Sequence, residues 1–238
     1  MIFFWFVQLD DLELIKNTKL IVNKMRKKIL YFFVMLLPIL MINLSAEPKS
    51  SMQGFSKKRY RIGDFAQGGV VIYLTPDGMH GLVAAIEDVG EFQWSPIGVA
   101  TSVSGADDKG DLPLAANEEY PGQNNTRAII NTFGRDNPNH YAAQAAVAYS
   151  KTVNGKTYDD WFLPSMKEFG VMWSNSSIVS EVSIREGGSA LSDPCYWTSL
   201  NSPLAQNSAY VFLASDDEGF ISRFGRSNSY KVRPVRAF

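Results

Sequence analysis

Tyr158-Asp159-Asp160-Trp161-Phe162-Leu163-Pro164-Ser165, with Glu168 three residues further on, joins a polar turn, an aromatic plug and a helix start. Ser165-x-x-Glu168 has the spacing of a capping box: the Ser165 hydroxyl accepts from the Glu168 amide, and the Glu168 carboxylate reaches back to the Ser165 amide. Two donors that a helix start leaves without partners are satisfied in this way. Pro164 keeps the residue before it extended, so the chain arrives as strand or loop and leaves as helix. The spacing predicts a helix over residues 166–173, with Met166, Phe169, Met172 and Trp173 on one face.

Upstream, residues 70–74 and 82–86 are short, β-branched-rich runs on either side of Thr75-Pro76-Asp77-Gly78, which reads as a hairpin. Gly68-Gly69 ahead of them suits a bulge or a close approach of two backbones. Residues 98–122 are Gly, Ser, Asp, Pro and Ala without periodicity, a long surface loop of the kind that carries binding. Asn124 or Asn125 caps a helix over 126–133, and an Ala-rich second helix follows over 141–149. Val153-Asn154-Gly155-Lys156 is a turn. Downstream, 195–198, 209–213, 220–224 and 230–238 read as strands, with 215–219 as a hairpin tip. Strands at both ends and helices between them make the fold class α+β.

The opening stretch belongs to a wider set of landmarks. They are Tyr60-x-Ile62-Gly63-Asp64, Gly68-Gly69-Val70-Val71-Ile72-Tyr73, His80-Gly81-Leu82-Val83-Ala84-Ala85, Trp94, Tyr196-Trp197-Thr198-Ser199 and the terminal Val232-Arg233-Pro234-Val235-Arg236-Ala237-Phe238. Together they resemble the Lcl C-terminal domain family over residues 60–238. The resemblance implies a C-type-lectin-like fold of antiparallel strands, with paired N- and C-terminal strands and two to three helices in the middle. In that arrangement Val232 and Val235 lie near residues 70–73. It also implies a secreted domain that binds something, one branch being similar to an adhesin for sulfated polysaccharides, with no shared catalytic residues. Under it Asp160, Trp161, Pro164, Ser165, Glu168, Trp197, Arg233 and Arg236 are structural landmarks, the tryptophans as core and the two arginines as ion-pair partners.

Ahead of this region the chain reads as targeting. Met25-Arg26-Lys27-Lys28 supplies a positive start, residues 29–44 are almost unbroken apolar sequence, and Leu44-Ser45-Ala46 ends on a small residue suited to cleavage. The apolar run contains Pro38 and falls short of the roughly 20 residues that a spanning helix needs, so no stable transmembrane span is expected after processing. Residues 25–46 are therefore read as a signal peptide, 47–59 as a polar linker and 60–238 as the domain. Residues 1–24, with Asp10-Asp11-Glu13 ahead of the positive start, read as an extension from a mis-assigned initiator, Met25 being the true first residue. The protein is expected to be exported, whether to the periplasm, the cell surface or the medium. Cys195 is the only cysteine, so no intramolecular disulfide forms; it sits beside Tyr196-Trp197 in a core strand, where a thiol behaves as a small apolar group.

The inventory for catalysis is poor, and no catalytic residue is assigned. His80 and His140 are the only histidines and have no metal-ligand spacing. No nucleophile elbow, P-loop or dinucleotide fingerprint occurs. Formylglycine-generating oxidases share the implied fold but need a cysteine pair that is missing here. No cofactor is expected. Calcium is the one with candidate ligands, Asp216, Asp217 and Glu218 in one turn, and it is not favoured, because the Glu-Pro-Asn or Gln-Pro-Asp tripeptide of calcium-dependent lectins is absent and charge at a hairpin tip is normally solvated.

Charge points to the ligand. Residues 1–46 take six basic and three acidic residues out of totals of 23 and 24, leaving the domain mildly acidic, yet residues 223–238 hold Arg223, Arg226, Lys231, Arg233 and Arg236 with no acid. Arg223, Arg226 and Lys231 are read as the ligand contacts, with Trp94 as an exposed ring beside the long loop. Arg forks match the closely spaced anions of a sulfated or carboxylated glycan. The expected function is a secreted, non-enzymatic, adhesin-like binding domain for an anionic polysaccharide or a cell-surface protein. Nucleic acid is not expected as a partner, given export and the small patch. One alternative is a protein-binding display module diversified by a retroelement, for which 201–230 is rich in Asn, Ser and Tyr. A glycan-active enzyme using Asp159 or the Asp216 cluster is the other.

Overall fold

The apolar runs around Thr75-Pro76-Asp77-Gly78 close into a hairpin: the Gly78 amide donates to the Thr75 carbonyl at 2.9 Å, with Pro76 pre-set for the second position of the turn. The computed structural model describes residues 58–96, 98, 103–107, 112–115, 118–192, 194–203, 205, 207–213 and 219–238. They belong to one compact unit, Ser56–Phe238. The extension 1–24, the signal peptide 25–46 and nearly all of the linker 47–59 lie outside the described residues, as do Asp216, Asp217 and Glu218.

The class is α+β. Strands β1 (Phe65–Ala66), β2 (Gly69–Leu74) and β3 (Gly81–Ala84) are followed by β4 (Glu91–Gln93), helices α1 (Pro121–Phe133) and α2 (Ala142–Ala148), and the hairpin β5 (Lys151–Val153) and β6 (Lys156–Tyr158). Helices α3 (Met166–Ser174) and α4 (Ser176–Arg185) then lead into β7 (Cys195–Asn201), β8 (Ser208–Leu213), β9 (Phe220–Gly225), β10 (Ser229–Lys231) and β11 (Val235–Ala237). One sheet has the order β1-β2-β3-β11 and a second the order β4-β10-β7-β8-β9. Pairing is antiparallel throughout except between β7 and β10. No described helix is long and apolar enough to cross a membrane.

Period-two alternation places the core. In the first sheet Val70, Ile72, Leu82, Ala84 and Val235 point inward, where they meet Tyr196 and Phe212 of the second sheet and Phe169, Met172, Val179 and Val182 of α3 and α4. Trp197, Ala209 and Val211 point the other way, against Ile129 and Phe133 of α1, Ala142, Ala143 and Ala146 of α2, and Trp94. The outer face of the first sheet, Val71 and Val83, is covered by Trp161. Each buried Val, Leu, Ile, Phe or Met side chain contributes on the order of 1.5–3 kcal/mol, and strand β7 of the second sheet is buried on both faces.

The stretch from Trp161 to Ser165 ties these layers together. Phe162 exchanges two backbone hydrogen bonds with Val235, of 2.9 and 3.0 Å. Leu163 does the same with the Thr126 hydroxyl of α1, and the Ser199 amide of β7 donates to the Pro164 carbonyl at 2.8 Å. The capping box is present, with Ser165 as N-cap and Glu168 bonded back to its amide. Gly69 is a close-approach position, since a Cβ there would lie 2.3 Å from the Ala84 carbonyl oxygen.

Four expectations change. The strand read over 230–238 is two strands in two sheets, because the Val232-Arg233-Pro234 segment crosses between them. β11 joins β3 rather than β2, with Val235 opposite Ala84, so Val235 shares a cluster with Val70 while Val232 packs in the other cluster with Trp197. Helix α1 begins at Pro121, ahead of the asparagines expected to cap it; proline at the first position needs no side-chain cap to satisfy its missing N–H. Helix α4 and the short strands β4, β5 and β6 were not anticipated, being short or weakly periodic.

Candidate functional site

The residues read as ligand contacts do not form one surface. Trp94 is fully buried rather than exposed. Its indole N–H donates to the Thr198 carbonyl at 2.8 Å, and the Arg226 guanidinium lies over its ring at 4.5 Å from the centroid. Arg226 is itself only 3% exposed; it donates to the Ser208 carbonyl at 3.3 Å and to the Asn201 side-chain oxygen. Burial pushes its pKa down to about 10, which leaves it charged at neutral pH. It reaches the floor of a polar cavity of about 260 Å³ with Gln93, Ser95 and Asn207, and serves to close the β9–β10 turn over Trp94.

Lys231 turns to a second buried arrangement. Its ammonium lies 3.6 Å from Asp88, whose other oxygen is 3.0 Å from Arg233 Nε in an ion pair, and the Tyr196 hydroxyl donates to Asp88 at 3.4 Å. Arg233 is fully buried and also donates to the Ser189 carbonyl at 2.8 Å. Burial pushes the Asp88 carboxyl above the usual range, against the pull of Arg233 and Lys231. Asp88 is the partner of Arg233 that sequence reasoning missed, since it sits in the turn after β3 with no local signal. Arg236 pairs with Asp160. Of the basic residues chosen as contacts, Arg223 on β9 remains exposed.

Cys195 is half-buried against the Trp197 cluster. Among the described residues no group of three His, Cys, Asp or Glu side chains is placed to hold a metal ion; the calcium candidates Asp216, Asp217 and Glu218 lie outside them.

A different constellation emerges at the other sheet. Two hairpins with two-residue turns face each other there. Gln67 and Gly68 join β1 to β2 with φ of 55° and 87°, and Asn154 and Gly155 join β5 to β6 with φ of 51° and 78°. Both positions of each turn are left-handed, the geometry that matches the twist of paired strands. Gly68 packs directly on the Tyr158 ring, where a Cβ would meet the ring at 2.8 Å. Lys156 lies over the Tyr158 ring at 4.7 Å, Arg236 over the same ring at 4.9 Å, and Lys58 over the Tyr60 ring at 5.3 Å. Gln67 donates to the Tyr60 hydroxyl at 2.8 Å, and Arg236 donates to the Gln67 carbonyl at 3.4 Å.

Lys58, Tyr60, Gln67, Lys156 and Tyr158 line a groove of about 480 Å³, and the Glu186 carboxylate lines it too. Gln67 is the strained member, because a residue other than Gly, Asn or Asp seldom adopts a left-handed conformation, and strain of this kind clusters at functional positions. The two exposed ammonium groups, steered by tyrosine faces, make the groove suited to an anion. Its sequence signals were Asn154-Gly155 and the Lys-x-Tyr spacings of Lys58/Tyr60 and Lys156/Tyr158, the second of which places cation and ring on one side of strand β6.

No protein-family model matches the chain, and no curated protein matches it. A crystal structure of a fimbrial protein from Bacteroides ovatus is similar to it, at 17% sequence identity and a TM-score of 0.45 over 68% of this chain. The matched region is 37% of the fimbrial chain, so this chain corresponds to well under half of that protein.

Proposed function

We propose that this chain is an exported, non-enzymatic binding module of C-type-lectin-like fold, similar to the Lcl C-terminal domain family, and that it holds an anionic glycan in the groove between the β1–β2 and β5–β6 turns. The fold reading is supported by β11 returning to the N-terminal hairpin at β3. The observation that carries the ligand reading is the pair of lysines, Lys58 and Lys156, each set over a tyrosine ring at the rim of one groove. A cation already steered by an aromatic face loses less freedom when it meets a sulfate or carboxylate, and the flat rings offer apolar surface to a sugar.

The test is binding of the exported chain to sulfated, carboxylated and neutral glycans at low and physiological salt, with and without calcium. Binding confined to the anionic members, weakened by salt and indifferent to calcium, is expected. Lys58→Gln with Lys156→Gln should weaken it by about tenfold, roughly 1.4 kcal/mol, while Arg223→Ser leaves it nearly unchanged. Loss on Arg223→Ser alone would move the ligand to the second sheet. Absence of binding to every anionic glycan would end the glycan reading and leave a surface protein as the partner to seek.

A further inference from the structure

Glu186 caps the C-terminal end of helix α4, where the aligned peptide dipoles already leave partial negative charge. A carboxylate at that place is unfavourable to the helix, so helix stability does not account for it. The same side chain lines the groove that holds Lys58 and Lys156. Its one ion pair among the described residues is with its neighbour Arg185, a largely exposed guanidinium that donates to Oε1 at 3.2 Å and leaves Oε2 without a bond. Each lysine stands over a tyrosine ring, and neither is ion-paired with Glu186 or with any other described acid. Charge of both signs therefore lines one groove of about 480 Å³ without being neutralised inside it.

We propose that the ligand of this groove is zwitterionic: a glycan that carries a free amino-sugar ammonium beside its sulfate or carboxylate, with the anion at Lys58 and Lys156 and the ammonium at Glu186. The proposal rests on the anionic-glycan reading of the same groove and narrows it to one chemical class. An ammonium brings three donors to a carboxylate that has acceptor capacity left, and a hydrogen bond between ionised partners is about twice as strong as a neutral one. A glycan with sulfate on that nitrogen sets like charge against Glu186 instead, and discrimination comes from this repulsion as much as from the attraction. The two lysines supply affinity for the anion, and Glu186 sets which anionic glycan is taken.

Heparin, N-desulfated heparin and N-desulfated, N-acetylated heparin place a sulfate, an ammonium and a neutral amide on the same nitrogen of one polymer. Titration calorimetry of each with the exported chain, just below neutral pH so that the amine is charged, tests the proposal. A groove that answers to net charge alone binds heparin tightest. The expected order is the reverse: the ammonium form tightest, the acetylated form next and heparin weakest, with about tenfold across the series. In Glu186→Gln heparin should become the tightest of the three while far-ultraviolet circular dichroism is unchanged. Heparin tightest in the wild type, three equal affinities, or an ammonium preference that survives in Glu186→Gln each overturns the proposal and leaves the anionic-glycan reading standing. No binding of any of the three ends both. Should Glu186→Gln fail to fold, the wild-type order decides: the ammonium form first supports the proposal and heparin first refutes it.

Discussion

The Glu168 carboxylate accepts the backbone amide of Gly122, 46 residues away in sequence, at 3.0 Å, while its other oxygen accepts the Ser165 amide at 2.6 Å. One fully buried carboxylate therefore closes the first turns of two helices, α1 and α3, and sits at the positive ends of both dipoles. A capping box read from sequence alone accounts for one of these helices.

Substitution at this junction should be costly from either side. A Cβ on Gly122 would lie 2.1 Å from Glu168 Oε2 and 2.7 Å from the Ser165 nitrogen. Gly122→Ala should lose about 1–3 kcal/mol by overpacking, and Glu168→Ala at least as much through unsatisfied buried amides. Urea unfolding measures both; a loss below about 0.5 kcal/mol in Gly122→Ala, the range of an ordinary surface change, would show that the two helix starts are not coupled.

The two arginine ion pairs should differ sharply in worth. Arg233 is fully buried against Asp88, whereas Asp160, the partner of Arg236, is 57% exposed. Asp88→Ala strands a buried guanidinium and should cost about 3–5 kcal/mol. Asp160→Ala should cost about 1 kcal/mol or less. Equal effects in denaturant titration would contradict the burial argument.

Tyrosines should control the alkaline limit of stability. Burial pushes the Tyr141 hydroxyl up to about 12, and Tyr120 and Tyr149 are raised in the same direction, Tyr149 also by Glu87. A raised folded pKa means that the folded state holds its proton longer, so the contribution is complete below about pH 10, the unfolded value, and is lost as pH rises through the folded value. Thermal melting should therefore fall steeply above pH 10. In Tyr141→Phe, which also loses the 2.6 Å bond to the Gly134 carbonyl, the neutral-pH melting temperature should drop while its alkaline decline becomes shallower. A parallel decline in both proteins would remove Tyr141 from the account.

Arg226→Gln separates stability from binding. The variant loses the cation over Trp94 and the bonds that hold the β9–β10 turn, so it should unfold about 1–3 kcal/mol earlier with altered tryptophan fluorescence. Glycan affinity, measured on the fraction that remains folded, should stay within about twofold, a shift of roughly 0.4 kcal/mol. A large affinity loss at unchanged stability would restore Arg226 as a ligand contact.

Gln67→Asn exchanges a strained left-handed residue for one that tolerates the conformation, at the expense of reach to Tyr60. Stability should hold or rise by up to about 1 kcal/mol while glycan binding weakens, the usual trade at a strained site. Melting temperature and affinity falling together would mean that the strain serves packing alone.

What the amino-acid order determines here is local. Ser165-x-x-Glu168, Thr75-Pro76-Asp77-Gly78 and Asn154-Gly155 specify their caps and turns through bonds that span a few residues, and alternation along 70–74 and 82–86 marks strands without knowledge of their partners. The α+β class and the helix at 166–173 follow from such signals. Exposure does not, because it depends on which distant segments close over a side chain. Trp94 sits at the edge of a polar loop in sequence, and it is buried because the β9–β10 turn folds Arg226 across it. Likewise 230–238 reads as one strand, and the fold divides it between two sheets because Arg233 must reach Asp88 and Val235 must reach Ala84. The groove is the same case: Lys58 and Lys156 are almost a hundred positions apart, and only the packing of Gly68 against Tyr158 brings the two turns, and with them the two cations, to one place.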